Sequence, residues 1–177
     1  MKEKFKQLYM DWAGRVAQLS HARRLKVGAV IVKDDTVISY GYNGTAAGLD
    51  NNCEDIVWDT GAGGWISTEE FDAQYPYTHH DAETGQSRRY GLVTKPEVIH
   101  AESNAIAKLA RGPNSGVNAD LFMTHSPCLE CAKLIYQAGI RHVYYGENYR
   151  STDGIDFLKK TNVSVTQLQY NQGNENV

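Results

Sequence analysis

The first twenty residues repeat apolar positions with the period of a helix. Apolar side chains recur every three or four positions: Phe5, Leu8, Tyr9, Trp12, Val16 and Leu19. This spacing places them on one face of an amphipathic helix. Two short β-rich runs follow, VGAVIV (27–32) and TVISYGY (36–42), with the polar KDD between them. The pattern therefore predicts a first helix and then an antiparallel hairpin.

The periodic pattern is lost between about Gly44 and Pro96. This stretch is rich in Gly, Asp, Asn, Thr and Tyr and shows no sustained repeat. A loop this long is uncommon in a compact domain and is usually functional or an inserted contact element. We therefore predict a single domain over residues 1–177 with an inserted loop-rich region at 45–97. The insertion carries aromatic side chains of the type enriched at subunit interfaces, which would alternatively pack on their own subunit: Trp58, Trp65, Phe71, Tyr75 and Tyr77.

Helices and strands alternate in the second half of the chain. A helical pattern starts at His100 and is stopped by RGPN (111–114), and a second helix starts at Pro127 and ends at Gly139. A third, short helix is predicted at 154–160, and the strands are predicted at 119–125, 142–146 and 163–170. Such alternation favours parallel pairing. The fold class is therefore α/β, a three-layer α/β/α sandwich around a five-stranded mixed sheet whose last strands are parallel.

Composition excludes several classes of function. The 177 residues carry a net charge of −3 with no long run of one sign, which argues against nucleic acid as the main partner. Small basic groups could still hold one anion: Arg23, Arg24 and Lys26, and separately Arg88 and Arg89. There is no run of about 18 apolar residues and no apolar signal-peptide run, so we expect no membrane partner and a cytoplasmic location.

Two of the three cysteines and one histidine suggest a metal site. Cys128 and Cys131 are three residues apart, which puts them on one helical face and, in an intracellular chain, favours metal or redox chemistry over a disulfide. Pro127 starts the helix, and the positive end of the helix dipole favours thiolates. With His100 they form a ligand set typical of catalytic zinc, which leaves a fourth position for water and lowers its pKa toward about 7.

Glu102 completes this arrangement. It lies two positions after His100, so on a helix the two side chains diverge. One can bind the metal while the other carries protons between water and a substrate nitrogen. A lone C-x-x-C is more typical of a structural zinc half-site or a redox pair, and a lone His of a helix cap. The combination of HAE (100–102) with PCLEC (127–131) is the signature of zinc deaminases.

With these motifs the chain resembles the zinc-dependent cytidine and deoxycytidylate (dCMP) deaminase superfamily, and within it the phage-type dCMP deaminases. The segments that carry the resemblance are KVGAVIV (26–32), GYNG (41–44), HAESNAI (100–106), SPCLECAKLIYQAGI (126–140) and ENY (147–149). The resemblance implies a cytidine-deaminase-like fold. It also implies the hydrolysis of dCMP to dUMP and ammonia, which supplies dUMP for thymidylate synthesis.

The resemblance also implies roles for single residues. Zinc would be bound by His100, Cys128 and Cys131, with Glu102 as the general acid and base. Asn43 would contact the sugar and Tyr149 would stack on the base. Lys26, or one of Arg23 and Arg24, would meet the 5′-phosphate. Asn43 is also part of an Asn-Gly turn signal, and Tyr149 could instead be a packed edge residue.

Further features of the phage-type relatives would extend to this chain. Some relatives hold a second, structural zinc, for which the candidate ligands here are Cys53, His79, His80 and His21. The resemblance implies a homo-hexamer that dCTP activates and dTTP inhibits, each with Mg²⁺, at the GYNG segment. In that segment Gly41 and Gly44 would let the effector approach the backbone. Tyr42 and Asn43 would point to opposite faces of the strand and so connect effector and substrate.

Other functions remain as alternatives. A tRNA adenosine deaminase shares the HAE and PCxxC motifs, but the negative net charge and the 56 residues between Asn43 and His100 disfavour it. A deaminase that accepts dCTP stays open. A nucleoside cytidine deaminase is less favoured still, because that group usually has Cys at the position of His100. A non-catalytic zinc scaffold is disfavoured, because it would require neither Glu102 nor an open fourth position on the metal.

Overall fold

A five-stranded mixed sheet lies between two layers of helices. The computed structural model describes residues 1–60 and 67–169. In chain order its elements are α1 (Glu3–Ala17), β1 (Gly28–Lys33), β2 (Thr36–Tyr42), β3 (Glu54–Trp58), α2 (Thr68–Gln74), β4 (Tyr77–His80), β5 (Ser87–Thr94), α3 (Ala101–Ala110), β6 (Asp120–His125), α4 (Leu129–Gln137), β7 (His142–Glu147), α5 (Asp153–Lys160) and β8 (Ser164–Gln167). The main sheet has the order β2-β1-β6-β7-β8, and its last three strands are parallel. The predicted fold class is confirmed, although β8 is shorter than the predicted strand at 163–170.

The three central strands of the main sheet, β1, β6 and β7, are buried on both faces. Helix α1 packs against β1 and β6 on one face, while α3 packs against β1 and β2 on the other. In β1 the side chains alternate accordingly: Val30 and Val32 belong to the core on the α1 side, and Ala29 and Ile31 to the core on the α3 side. Across the described parts of the chain, no helix combines the length and the apolar character that a membrane crossing requires.

The buried face of α1 agrees only in part with the predicted one, since Tyr9 and Val16 are buried as predicted. Leu8, Trp12 and Leu19 are exposed, and the core instead receives a face centred on Met10 and Ala13. The close approach of α1 to β1 explains why small residues lie at the centre of this face. Position 28 is glycine, and a Cβ there would lie 2.1 Å from the Ala13 carbonyl oxygen. The helix and strand backbones therefore approach closely where Gly28 faces Ala13 and Ala17.

The region predicted to be irregular contains regular structure. Strands β3, β5 and β4 form a separate antiparallel sheet in that order, and α2 begins with a capping box between Ser67 and Glu70. In β3 and β5 the aliphatic residues are adjacent and do not alternate with polar ones, as Ile56–Val57 and Leu92–Val93 show, so no strand period is visible in the sequence. The ring contacts within the insertion are Trp58–Tyr90, Tyr77–Tyr90 and Phe71–Tyr75. Of the interface candidates, Trp65 lies outside the described residues.

Candidate active site

The starts of two helices bring the predicted metal ligands together. His100 is the N-cap of α3 and Cys128 the N-cap of α4, and neither side chain caps its own helix. Cys131 lies one turn into α4 and is buried. The His100 Nδ1 atom is 3.6 Å from the Sγ of Cys128 and 3.4 Å from the Sγ of Cys131. The three side chains thus converge on one point between the two helices.

These separations fit a tetrahedral zinc ion. Zn–S and Zn–N bonds of about 2.3 and 2.1 Å at a tetrahedral angle put sulfur and nitrogen about 3.6 Å apart. Hydrogen bonds from Cys131 and His100 lower the pKa of Cys128, because both donors stabilise its thiolate, while the hydrogen bond to Cys128 and burial raise the pKa of Cys131. The donor atoms of His100, Cys128 and Cys131 all lie within 4.8 Å of one another. Geometry and donor chemistry therefore both suit the metal.

Glu102 lies beside this cluster in the first turn of α3. Its side chain is 4% exposed, and burial raises its pKa to about 6, an effect that its own backbone N–H and His100 partly offset. A carboxyl group with a pKa near neutrality can both accept and donate a proton under ordinary conditions. The site therefore combines a metal ligand set with a proton carrier.

The cluster opens into a cleft of about 600 Å³, which suits a small ligand. Three parts of the chain form its walls. The loop before β1 contributes Arg24 and Leu25, and the insertion contributes Val93 and Thr94 among others. The third wall consists of residues 125–126 and 147–150, at the carboxyl ends of the parallel strands β6 and β7. Ligands of α/β sheets typically bind at this edge.

The family follows from comparison with known proteins. The family model for the cytidine and deoxycytidylate deaminase zinc-binding region matches residues 3–147. The chain belongs to this family. The matched range includes His100, Glu102, Cys128 and Cys131.

Individual relatives agree with this assignment. The deoxycytidylate deaminase of Enterobacteria phage T4 is 35% identical over 145 residues, which cover 76% of this chain and 73% of the relative. The ComE operon protein 2 of Bacillus subtilis is 31% identical over 167 residues, which cover 94% of this chain and 72% of the relative. A crystal structure of the dCMP deaminase from cyanophage S-TIM5, in complex with dCMP and dUMP, superposes with a TM-score of 0.71 at 36% identity. This superposition covers 95% of this chain and 99% of the phage chain.

Tyr149 lies on the cleft wall, held by Ser126. The Tyr149 N–H donates to the Ser126 Oγ at 2.7 Å, and the Ser126 N–H donates to the Glu147 carbonyl oxygen at 2.8 Å. These bonds join the ends of β6 and β7. Tyr149 is 37% exposed, so part of this residue is open to solvent at the cleft.

Asn43 and Lys26 differ in their relation to the cleft. Asn43 lines it, but its carboxamide is already engaged: Oδ1 accepts the Val27 N–H and Nδ2 donates to the Leu25 carbonyl, both at 2.8 Å. Asn43 therefore shapes the loop before β1, and it does not form the tight Asn-Gly turn. Lys26 is exposed and is not among the lining residues, while Arg24 and Arg150 are.

Several lining residues were not anticipated from the sequence. His125 and Ser126 stand directly before the PC motif, and Arg150 directly follows Tyr149, so their proximity to recognised motifs was the available signal. The His125 Nε2 lies 3.4 Å from the Glu147 carboxylate, and burial lowers the pKa of His125. Glu54 and Thr94 carried no signal, since they lie in the region that lacked a pattern.

The four candidates for a second zinc do not come together. Cys53 is buried with Ala22 and Val98 in a small apolar cluster. His79 contacts the Trp58 ring, and the His80 Nδ1 is 2.7 Å from the Ser87 hydroxyl, both on the inserted sheet. His21 is exposed on the loop after α1. Within residues 1–60 and 67–169 these four form no ligand group of three or more, so the structure gives the second site no support.

The GYNG segment contacts the helix that carries His100 and Glu102. A Cβ at Gly41 would lie 2.2 Å from the Ala101 carbonyl oxygen, so this glycine lets α3 approach β2 closely. The Asn104 side chain donates to the Tyr42 carbonyl at 2.9 Å. Gly44 and Ile99 exchange two backbone hydrogen bonds, at 3.1 and 2.8 Å. The segment is therefore hydrogen-bonded to Ile99, which precedes His100, and to Asn104, which follows it.

Proposed function

We propose that this protein catalyses the zinc-dependent hydrolysis of dCMP to dUMP and ammonia. The observation that carries the proposal is a buried carboxyl group, Glu102, next to a His-Cys-Cys ligand set in a cleft large enough for a nucleotide. The phage T4 relative is named a deoxycytidylate deaminase, and the S-TIM5 relative is a dCMP deaminase seen with dCMP and dUMP. Both support the choice of substrate.

In this reaction Glu102 is the group that moves protons. A Zn²⁺ ion held by His100, Cys128 and Cys131 supplies a Lewis acid that makes water a stronger nucleophile near neutral pH. Glu102 accepts a proton from the attacking water and passes it to N3 while the C4–O bond forms. It then carries the remaining hydroxyl proton to the amino group, which leaves as ammonia when the C4–N bond breaks. The carboxylate is regenerated, so one side chain serves both steps.

The remaining contacts orient the nucleotide. Tyr149 stacks on the cytosine ring, with support from the partly exposed position of this residue on the cleft wall. Asn43 contacts the sugar through the amide N–H that Leu25 does not use. For the 5′-phosphate we propose Arg24 and Arg150 in place of Lys26, because these arginines line the cleft. Guanidinium groups match phosphate geometry well.

The test of this function is ammonia release from a panel of substrates. We expect turnover with dCMP and much slower turnover with deoxycytidine and CMP. RNA containing adenosine should give none. Including dCTP in the panel decides whether the triphosphate is also a substrate. Release from adenosine in RNA but not from dCMP would contradict the proposal and favour the tRNA deaminase alternative.

We also propose control of this reaction by deoxynucleoside triphosphates bound with Mg²⁺ at the GYNG segment, in a homo-hexamer. Two features support such control. GYNG is hydrogen-bonded to α3 and to Ile99, so a shift there would move His100 and Glu102. Lys108 provides a cation at the same place, since its Nζ lies 4.6 Å from the Tyr40 ring centre and 5.4 Å from that of Tyr42. Exposed Val57 and Val93 on the inserted sheet support a subunit contact there.

The two triphosphates should have opposite effects on the rate of deamination. At subsaturating dCMP, dCTP with Mg²⁺ should raise the rate and dTTP with Mg²⁺ should lower it. Coupling free energies of about 1–3 kcal/mol correspond to changes of roughly 5- to 150-fold in affinity. Initial rates across a dCMP titration measure this. An unchanged rate and unchanged substrate cooperativity with both triphosphates would show that the chain lacks the switch.

A further inference from the structure

Glu54 is a buried carboxyl group at the edge of the inserted sheet. It is the first residue of β3, its side chain is 1% exposed, and it contributes to the cleft wall. Burying a carboxyl group is costly unless hydrogen bonds compensate. The buried position of Glu54 therefore points to specific interactions of its carboxyl group. The proposed reaction gives this residue no role.

The partners of Glu54 all belong to the loop before β1. Its Oε1 accepts the backbone N–H of Arg23 at 3.1 Å and that of Arg24 at 3.2 Å. Its Oε2 lies 3.7 Å from the Arg23 Nε, and among the described residues it has no hydrogen-bond partner. One carboxylate therefore fixes two consecutive backbone amides.

Thr94, the strand partner of Glu54, also contacts Arg24. Glu54 is opposite Thr94 in the β3–β5 ladder. The Thr94 hydroxyl accepts a long hydrogen bond, 3.5 Å, from the Arg24 Nη1. The base of the inserted sheet thus contacts both the backbone and the guanidinium group of Arg24, and Arg24 lines the cleft while Arg23 does not.

We propose that Glu54 is a positioning residue that holds Arg24 on the cleft wall to receive the 5′-phosphate, so that the insertion sets the preference for a phosphorylated substrate. This inference rests on the proposed deamination of dCMP. It assigns the insertion a role in the active site of its own chain. The apolar contact of Ala22 with Cys53 and Val98 already joins the loop to the insertion, so the acid is not required simply to attach one to the other.

The measurement is the ratio of kcat/KM for dCMP to kcat/KM for deoxycytidine, which lacks the phosphate. Arg24→Ala should lower this ratio roughly 10- to 100-fold, as expected for a hydrogen bond to a charged group. Glu54→Asp keeps the charge but withdraws the carboxylate by one methylene, so we expect the ratio to fall about tenfold, through a higher KM for dCMP. Glu54→Gln keeps an oxygen that can accept both N–H groups, and the ratio should stay within about threefold of the original.

A double variant separates positioning from general destabilisation. Because Glu54 acts through Arg24, adding Glu54→Asp to Arg24→Ala should lower the ratio no further. The matched control is Asp55→Ala, which removes the neighbouring exposed acid of β3 and should leave both substrates unaffected. An unchanged ratio in Glu54→Asp, additive losses in the double variant, or an equal loss in Glu54→Gln would each overturn the inference. If the unchanged protein released no ammonia from dCMP, the proposed function itself would have failed.

Discussion

Replacing Glu102 by Gln should lower kcat for dCMP by roughly 10²–10⁴-fold, the usual contribution of general acid–base catalysis. Gln has the same size and can accept the same hydrogen bonds, so the packing around this 4% exposed side chain should be preserved. It cannot take a proton from water or release one to N3. Because Glu102 is not one of the proposed zinc ligands, zinc content and dCMP binding should stay close to those of the unchanged protein. Single-turnover kinetics together with metal analysis would measure both.

Glu130→Gln provides a matched control for this prediction. Glu130 occupies the first turn of α4, as Glu102 does of α3, and it lies between the two cysteines. Its side chain is 78% exposed and pairs with Lys133. The same chemical change there should leave kcat within about twofold, because an exposed ion pair of this kind contributes little. A Glu102→Gln protein with full zinc and kcat within tenfold of the original would remove Glu102 from the mechanism.

The metal cluster was predictable because its residues lie in short motifs at helix starts. His100 and Glu102 are two positions apart, and Cys128 and Cys131 three, so local helix geometry already decides how each pair points. The parallel order of β6, β7 and β8 was predictable for a related reason. Strands that alternate with helices leave few right-handed arrangements of the chain.

The insertion shows where such reasoning failed. Strands β3 and β5 are stabilised by pairing with each other and by rings such as Trp58 and Tyr90, which are 32 positions apart in the sequence. No local period reports contacts of that kind. The sequence also left open which of Lys26, Arg23 and Arg24 meets the 5′-phosphate. Residues so close together in one loop cannot be told apart by sequence, whereas the fold shows that Arg24 lines the cleft and contacts Glu54 and Thr94 of the insertion.

Replacing Cys128 by Ser should abolish tight zinc binding. The unchanged protein should retain about one zinc ion per chain through dialysis against a mild chelator, as sites of this ligand type do. A serine hydroxyl does not ionise near neutral pH and is a poor zinc ligand, so the variant should lose most of its zinc and its turnover together. Metal analysis of the dialysed proteins, with dCMP turnover on the same samples, is the measurement.

The position of Cys128 makes this result easy to interpret. Cys128 is the N-cap of α4, and Ser is among the best N-cap residues, so the substitution should not weaken the helix itself. Cys53→Ser is the matched control, because that thiol is buried between Ala22 and Val98 and does not belong to the ligand set. It should cost some stability, since a hydroxyl replaces a buried apolar contact, yet keep its zinc. Full zinc in Cys128→Ser, or equal loss in both variants, would contradict the assignment. The first result would place the metal elsewhere, and the second would trace the loss to a general effect on folding.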